Sequence, residues 1–70
     1  MVEVFKTNVP ETKEAIKILN TLLTSFPASR INFDLDDCDK ILRMEGIGES
    51  SWQAIITNLN KLGYKCEVLN

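Results

Sequence analysis

The chain has no histidine and only two cysteines among its 70 residues. Histidine is the commonest metal ligand and a frequent general base, so its absence disfavours sites that depend on it. Cys38 and Cys66 lie far apart in the sequence and are too few for the disulfide framework of a small secreted domain. We therefore expect a reduced, cytoplasmic protein that uses no cofactor.

Long apolar runs and an excess of basic residues are also missing. No run approaches the ~20 apolar residues of a membrane-spanning helix, and the first residues, MVEVFKTNVPETKE, lack the apolar region of a signal peptide. Eight basic residues against ten acidic ones give a net charge of -2. Because phosphate neutralisation dominates nucleic-acid affinity, a basic face would be needed for that partner. We expect neither membrane nor nucleic acid as a partner.

The composition is that of one globular domain covering residues 1–70. Hydrophobic residues make up 44% of the chain and charged residues 26%, which is typical of ordinary folded proteins. A single core in a chain this short supplies roughly 3–5 kcal/mol of net stability. Single core substitutions are therefore expected to have large effects.

Four segments show the residue pattern of β-strands, with 30–36 the clearest. Ile31, Phe33 and Leu35 alternate there with polar residues, which predicts one buried and one solvated face. In the first segment Val2 and Val4 share one face and Phe5 takes the other, so the inward face stays open. The predicted strands are 2–9, 30–36, 41–46, with Leu42 and Met44 inward, and 64–69, with Tyr64, Cys66 and Val68 on one face.

Two amphipathic helices separate these strands. The first follows Pro10, which suits a first helical turn, and ends before Pro27. The second is predicted to begin at a capping box of Ser50 and Gln53 and to end at Gly63 in the C′ position. The apolar stripe of the first helix is Ala15, Leu19, Leu22 and Phe26, centred on Leu19 and widened by Ile18 and Leu23. That of the second is Trp52, Ile55, Ile56, Leu59 and Leu62.

The resulting order is β-α-β-β-α-β. Two right-handed βαβ units joined by a hairpin give the ferredoxin-like split βαβ sandwich. The sequence therefore predicts an α+β fold with a four-stranded antiparallel sheet and both helices on one of its faces.

The hairpin NFDLDDCDKILRMEG raises the question of a calcium or thiol site. Asp34, Asp36 and Glu45 match positions 1, 3 and 12 of an EF-hand loop, but Cys38 and Asp39 occupy the fifth and sixth positions, where a hard ligand and glycine belong. Neighbouring aspartates also disfavour a Cys38 thiolate. We predict a solvated turn here, and a core position for Cys66.

The stretch GIGESS, residues 46–51, resembles a phosphate-binding glycine loop in a strand-to-helix context. However, Glu49 would repel a phosphate, and the chain is too short for a dinucleotide fold. We predict a connecting turn. Trp52 could anchor a partner, but it continues the apolar stripe of the second helix and is expected in the core.

Two further stretches carry a family resemblance. LLTSFPASRINFDLDDCDKILRMEG and LNKLGYKCEVL resemble the central hairpin and closing helix and strand of the heavy-metal-associated (HMA) domain family. The resemblance implies a ferredoxin-like fold. The family's M-x-C-x-x-C metal motif would fall on Pro10, Thr12 and Ala15, none of which is a thiolate, so metal handling is not implied.

These observations lead to a non-enzymatic interaction module of HMA-like fold, with an unidentified protein partner or a second copy. An ACT-like small-molecule sensor and an atypical metal binder using Cys38 or Cys66 remain alternatives. An acylphosphatase of this topology would need an arginine and a glycine that NVPETK lacks. Binding is expected through an edge strand, 30–36 or 64–69, or through the open sheet face, whose candidate residues are Phe5, Arg30, Asn32, Asp34, Ile41, Arg43, Lys65 and Glu67.

Overall fold

The computed structural model describes residues 2–48 and 51–69. The secondary-structure elements within those ranges follow the predicted order. They are β1 (Val2–Thr7), α1 (Thr12–Ser25), β2 (Arg30–Asp34), β3 (Ile41–Glu45), α2 (Trp52–Lys61) and β4 (Cys66–Val68).

The four strands form one antiparallel sheet in the order β2-β3-β1-β4. The prediction of an α+β chain with a four-stranded antiparallel sheet and two helices is confirmed. β3 and β1 are the central strands, and β2 and β4 are the edges, as expected for the segments 30–36 and 64–69. Each strand is shorter than its predicted segment.

The core lies between one face of the sheet and the two helices. Phe5, Leu42 and Met44 are fully buried on that face, beside Ile18 and Leu22 of α1 and Ile55 and Leu59 of α2. Because residues of both helices belong to this one cluster, both helices pack on the same side of the sheet. Ala15 of α1, together with Val9 and Ile47 in loops, completes it.

The structure determines which face of β1 points into the core, a question that the sequence could not decide. Phe5 stands opposite Leu42 in the pairing of β1 with β3, and residues directly opposite each other share a face of a sheet. Phe5 is 0% exposed and belongs to the core. Its placement on the open sheet face was therefore wrong, because burying the aromatic ring removes more apolar area from water than burying Val4 would.

Helix α1 begins later and is rotated relative to the prediction. Its N-cap is Glu11, with extended backbone, so Pro10 precedes the helix instead of opening its first turn. The buried side chains are Ala15, Ile18 and Leu22, whereas Leu19, the predicted centre, is only half-buried. The apolar surface of α1 is wider than the strip that the sheet covers.

Helix α2 ends as predicted. The Tyr64 N–H donates to the Leu59 carbonyl at 2.9 Å and the Gly63 N–H to the Asn60 carbonyl at 3.0 Å, which together form a Schellman motif. Gly63 has a φ of 94°. At the other end, Ser51 is the N-cap and makes no side-chain cap bond; the predicted capping box falls on Ser50, outside the described residues.

Leu62 was predicted to extend the stripe of α2, but it is 48% exposed. It is the C-cap residue, one position past the last helical residue of α2. Among residues 2–48 and 51–69, neither helix combines the length and the apolar character that crossing a bilayer requires.

Candidate functional site

The junction of β1 and α1, where the HMA family carries its metal motif, offers no soft ligand. Pro10 is exposed in the loop, Thr12 is the exposed first residue of α1, and Ala15 is buried in the core. At the position that the resemblance aligns with the second cysteine of the motif, Ala15 therefore directs only a methyl group into the core. These three residues therefore supply no ligand atom suited to copper or zinc.

The acidic hairpin is held as a turn by its own groups. The Asp39 N–H donates to Asp37 Oδ1 at 2.9 Å, and the Lys40 N–H donates to the Asp37 carbonyl at 3.0 Å. Lys40 occupies the left-handed region with a φ of 47°, while its Nζ donates to the Leu35 carbonyl at 2.9 Å. Asp37 thus forms an Asx turn, in agreement with the turn predicted for this segment.

The structure also separates the residues that matched an EF-hand. Asp34 pairs with Ile41 at one end of the β2–β3 ladder, whereas Glu45 pairs with Arg30 at the other. Four residues of strand place the two ends roughly 13 Å apart, and calcium ligands lie about 2.3–2.6 Å from the ion. Asp34 and Glu45 therefore cannot share a calcium ion.

A smaller group of possible ligands remains at the tip of the hairpin. Ligand atoms of Asp37, Cys38 and Asp39 lie within 4.8 Å of one another, with Asp37 and Cys38 exposed. The Asp39 carboxylate lies 3.7 Å from the Lys6 ammonium. Since Asp37 and Asp39 also take part in the turn described above, the cluster is accounted for without an ion.

The two thiols differ in environment, and both are free. Burial, and to a smaller extent the charge of Glu67, raise the pKa of the Cys66 thiol to about 12. Cys66 packs against the core cluster, as predicted, and stays protonated at neutral pH. Cys38 is exposed on the hairpin.

The glycine-containing turn after β3 is described up to Gly48. Gly46 has a φ of 80°, and a Cβ placed there would lie 3.4 Å from the Ala28 carbonyl oxygen. A close approach to the backbone therefore explains this glycine without a phosphate. Glu49 and Ser50 lie outside the described residues. Trp52 packs against the core cluster, in agreement with its predicted core position.

The sheet face opposite the helices, which we name the open face, carries the candidate interaction residues. Arg30, Asn32, Asp34, Arg43, Lys65 and Glu67 are all exposed. Ile41 shares this face because it alternates with the core residue Leu42, but only 8% of its surface is exposed. Its side chain therefore offers a partner little contact area.

The charges on the open face are arranged in cross-strand pairs. Arg30 stands opposite Glu45 and Lys6 stands opposite Glu67. Arg43 has uncharged neighbours on both sides, Asn32 on β2 and Val4 on β1. Arg43 is thus the one cation of the central strands that faces no carboxylate across the ladder.

Three apolar residues of the open face were missed by the sequence analysis. Val2 is 50% exposed and Leu69 is 37% exposed, and the Leu69 N–H donates to the Val4 carbonyl at 2.8 Å. The available signal was alternation along β1: once Phe5 is assigned to the core, Val2 and Val4 must face the other way. Together they form an apolar area beside Arg43.

A groove of about 510 Å³ opens where β1 ends and β4 begins. It is lined by Lys6, Asn8, Asn60 and Lys65 together with Thr7, Cys66 and Glu67. Asn8 is held there because its Oδ1 accepts a 2.7 Å hydrogen bond from the Lys65 N–H. The groove thus combines two ammonium groups and two side-chain amides with the Glu67 carboxylate.

We compared the chain with models of known families, with curated proteins and with solved structures, and no match was found. Function therefore has to be argued from the geometry of the chain itself.

Proposed function

We propose that the chain is a small, non-enzymatic interaction module that binds a protein partner through its open face, with its edge strands as a second route. The observation that carries the proposal is the surroundings of Arg43. This exposed guanidinium lies beside Val4, in a region where Val2 and Leu69 leave apolar surface in water. Arginine next to apolar surface is enriched at the centres of protein interfaces.

The position of Arg43 in the sheet favours binding at a low entropic penalty. β3 and β1 are both paired on two sides, so the backbone beneath Arg43 and Val4 is fixed before a partner arrives. The outer helix surfaces present Lys13, Lys17 and Lys61 instead. Ordering such long, solvated side chains on binding is unfavourable.

We further propose that the fold is ferredoxin-like and related to that of HMA domains. The element order β-α-β-β-α-β and the sheet order β2-β3-β1-β4 support it, because they correspond to two interleaved βαβ units. Within this proposal, Pro10, Thr12 and Ala15 stand in the family's metal-binding places. The module would therefore act by docking and not by carrying metal.

The test is a pair of charge reversals with the same change in net charge. Partners captured by the wild-type chain are compared with those captured by Arg43→Glu, on the open face, and by Lys17→Glu, on the exposed surface of α1. We expect Arg43→Glu to lose the partner and Lys17→Glu to retain it, with both variants folded by circular dichroism. The opposite result would place the interface on the helices.

The groove where β1 ends and β4 begins favours a second candidate, an ACT-like sensor of a small anionic metabolite. Lys6 and Lys65 supply positive charge, which is partly offset by Glu67 in the same lining and by Asp39, 3.7 Å from the Lys6 ammonium. Asn60 supplies amide groups for orientation. NMR titration of the labelled chain with a set of carboxylate metabolites tests this candidate. Saturable shifts confined to the groove, and weakened in Lys6→Ala, would favour the sensor over the docking module.

A further inference from the structure

The outer edge of β2 has the residue pattern of a strand that pairs with itself. β2 is an edge strand of five residues, RINFD. Within the part of the chain that the structure describes, no other strand pairs with its outer side. Natural proteins usually protect such an edge with proline, lysine or a bulge. β2 contains neither proline nor lysine, and its ladder with β3 runs without a bulge, so none of these three devices blocks pairing along its outer side.

The order of residues in β2 is self-complementary in one antiparallel register. With a two-fold axis at Asn32, Arg30 of each copy stands opposite Asp34 of the other, so two pairs of opposite charge form. Ile31 stands opposite Phe33 of the second copy, again twice. This register pairs all five residues of the strand, and directly opposite residues are the ones that interact most strongly.

The same register keeps each side chain on its proper face. Arg30, Asn32 and Asp34 are exposed on the open face, while Ile31 and Phe33 are half-buried against the core. A two-fold axis perpendicular to the sheet places the helices of both copies on the same side. A slip of one residue would oppose apolar and charged side chains and is disfavoured.

Helix α1 presents a matching apolar strip above this edge. Ile16 is 54% exposed, and Leu19 and Leu23 are half-buried outside the core cluster. Thr12 lies on the same flank of the helix, since 12, 16, 19 and 23 follow helical spacing. We name these four residues, Thr12, Ile16, Leu19 and Leu23, the α1 flank. Because Thr12 lines a groove of about 260 Å³ together with Phe33 of β2, the α1 flank lies on the side of the helix nearest to β2.

We propose that the chain forms a two-fold symmetric homodimer by antiparallel pairing of β2 with β2, with the α1 flanks of the two copies packed together. The two sheets become one continuous sheet, and the interface is isologous, so each contact occurs twice. The inference rests on the proposed interaction function and names a second copy as the partner of one edge. The open face stays free for another protein.

The two charge pairs predict a specific result when two variants are mixed, and a dimer formed through another surface would not give this result. Arg30→Asp leaves two acids on the strand and Asp34→Arg leaves two bases, so each variant repels its own copy. Mixed together, they pair acid with base at both ends. In sedimentation over concentrations on the order of 1 µM to 1 mM, we expect a wild-type dimer, at least tenfold weaker association of each variant alone, and recovery of the dimer in the mixture.

The doubly substituted chain, Arg30→Asp with Asp34→Arg, is the matched control, because it keeps the composition and restores both pairs. It should associate like the wild type. A wild-type chain that stays monomeric, or variants that associate as well alone as they do in the mixture, would overturn the inference. Thermal unfolding of each variant establishes that it is folded.

The register is tested by a disulfide at the two-fold axis. In a chain with Cys38→Ser and Cys66→Ala, Asn32→Cys places two thiols opposite each other, within the Cα separation that a disulfide spans. Asp34→Cys in the same background places them about 13 Å apart. We expect oxidation to cross-link the first variant and not the second; the reverse would exclude this register. If dimerisation fails while Arg43-dependent capture of a partner persists, this inference alone is wrong.

Discussion

Phe5 stands directly opposite Leu42 in the antiparallel pairing of β1 and β3, and neither residue has exposed surface. This pair joins the two central strands to the core beneath both helices. It also fixes which face of β1 is available to a partner, because Val4 and Lys6 then point away from the helices.

Phe5→Ala is expected to abolish cooperative unfolding. Removing a buried phenylalanine side chain costs about 3–5 kcal/mol, which equals the roughly 3–5 kcal/mol of net stability expected for a core of this size. Val2→Ala, on the same strand but half-exposed, should leave the thermal midpoint almost unchanged. Thermal denaturation followed by circular dichroism distinguishes the two, and equal effects would mean that β1 faces the other way.

Two leucines near the end of α2 provide a second comparison. Leu59 is fully buried, whereas Leu62 is 48% exposed. Leu59→Ala should cost about 2–5 kcal/mol because it leaves a cavity, while Leu62→Ala should cost much less. Chemical denaturation of both variants measures the difference; a larger loss for Leu62→Ala would show that the stripe of α2 is wrongly oriented.

The glycines at Gly63 and Gly48 should respond in opposite directions to alanine. Within residues 2–48 and 51–69, a Cβ at either position meets no atom closer than 4 Å, but Gly63 has a φ of 94°. Left-handed backbone costs a non-glycine residue roughly 1–2 kcal/mol. We therefore expect Gly63→Ala to lower the free energy of unfolding by that amount, and Gly48→Ala to be neutral or stabilising. Destabilisation of the Gly48 variant alone would contradict this assignment.

Stability should fall in alkaline solution partly because of Cys66. The folded state raises the pKa of this thiol from its ordinary value of 9.0 to about 12, so the unfolded chain loses the proton first. The contribution of the protonated Cys66 thiol to the free energy of unfolding is fully present below pH 9.0. It is lost as the pH rises toward about 12, because ionisation of the thiol then favours the unfolded state. Unfolding of the wild type and Cys66→Ala at pH 7 to 10.5 should diverge in slope, and parallel curves would argue against a buried thiol.

Tight binding of Cu(I) or Zn(II) is not expected. The junction of β1 and α1 offers Thr12 and Ala15, neither of which is a thiolate, and the Asp37–Cys38–Asp39 cluster supplies a single soft ligand. Calorimetric titration of the reduced chain should show no submicromolar site. If one appears, Cys38→Ser and Cys66→Ser identify the thiol responsible, and the atypical metal binder becomes the better hypothesis.

Local patterns in the sequence predicted some of these features and were insufficient for others. In β2, strict alternation of Ile31 and Phe33 with polar residues assigns the faces without further information. In β1 it does not, since Val4 and Phe5 are adjacent and apolar, and the pairing with Leu42 decides between them. The apolar residues of helix α1 span an arc of roughly 160°, which is wider than the buried side, so only packing against the sheet selects Ala15, Ile18 and Leu22 over Leu19.

The candidate site was affected by the same ambiguity. Charged members of the open face, such as Arg43 and Glu67, follow from alternation within their own strands and were found. Val2 and Val4 were missed because their exposure depends on where Phe5 goes. The self-complementarity of β2 is present in the residues RINFD, but it becomes meaningful only when that strand is known to lie at an edge.

The central position of β1 has a consequence for how the chain is made in the cell. β1 is the first of the four strands to be synthesised, and it pairs with β3 on one side and with β4 on the other, where Thr7 stands opposite Cys66. On the ribosome, β3 becomes available to β1 together with the β2–β3 hairpin, but the other side of β1 stays unpaired until β4 emerges. Completion of the sheet is therefore delayed until Val68 has left the exit tunnel, and a nascent chain arrested before that point should remain sensitive to protease.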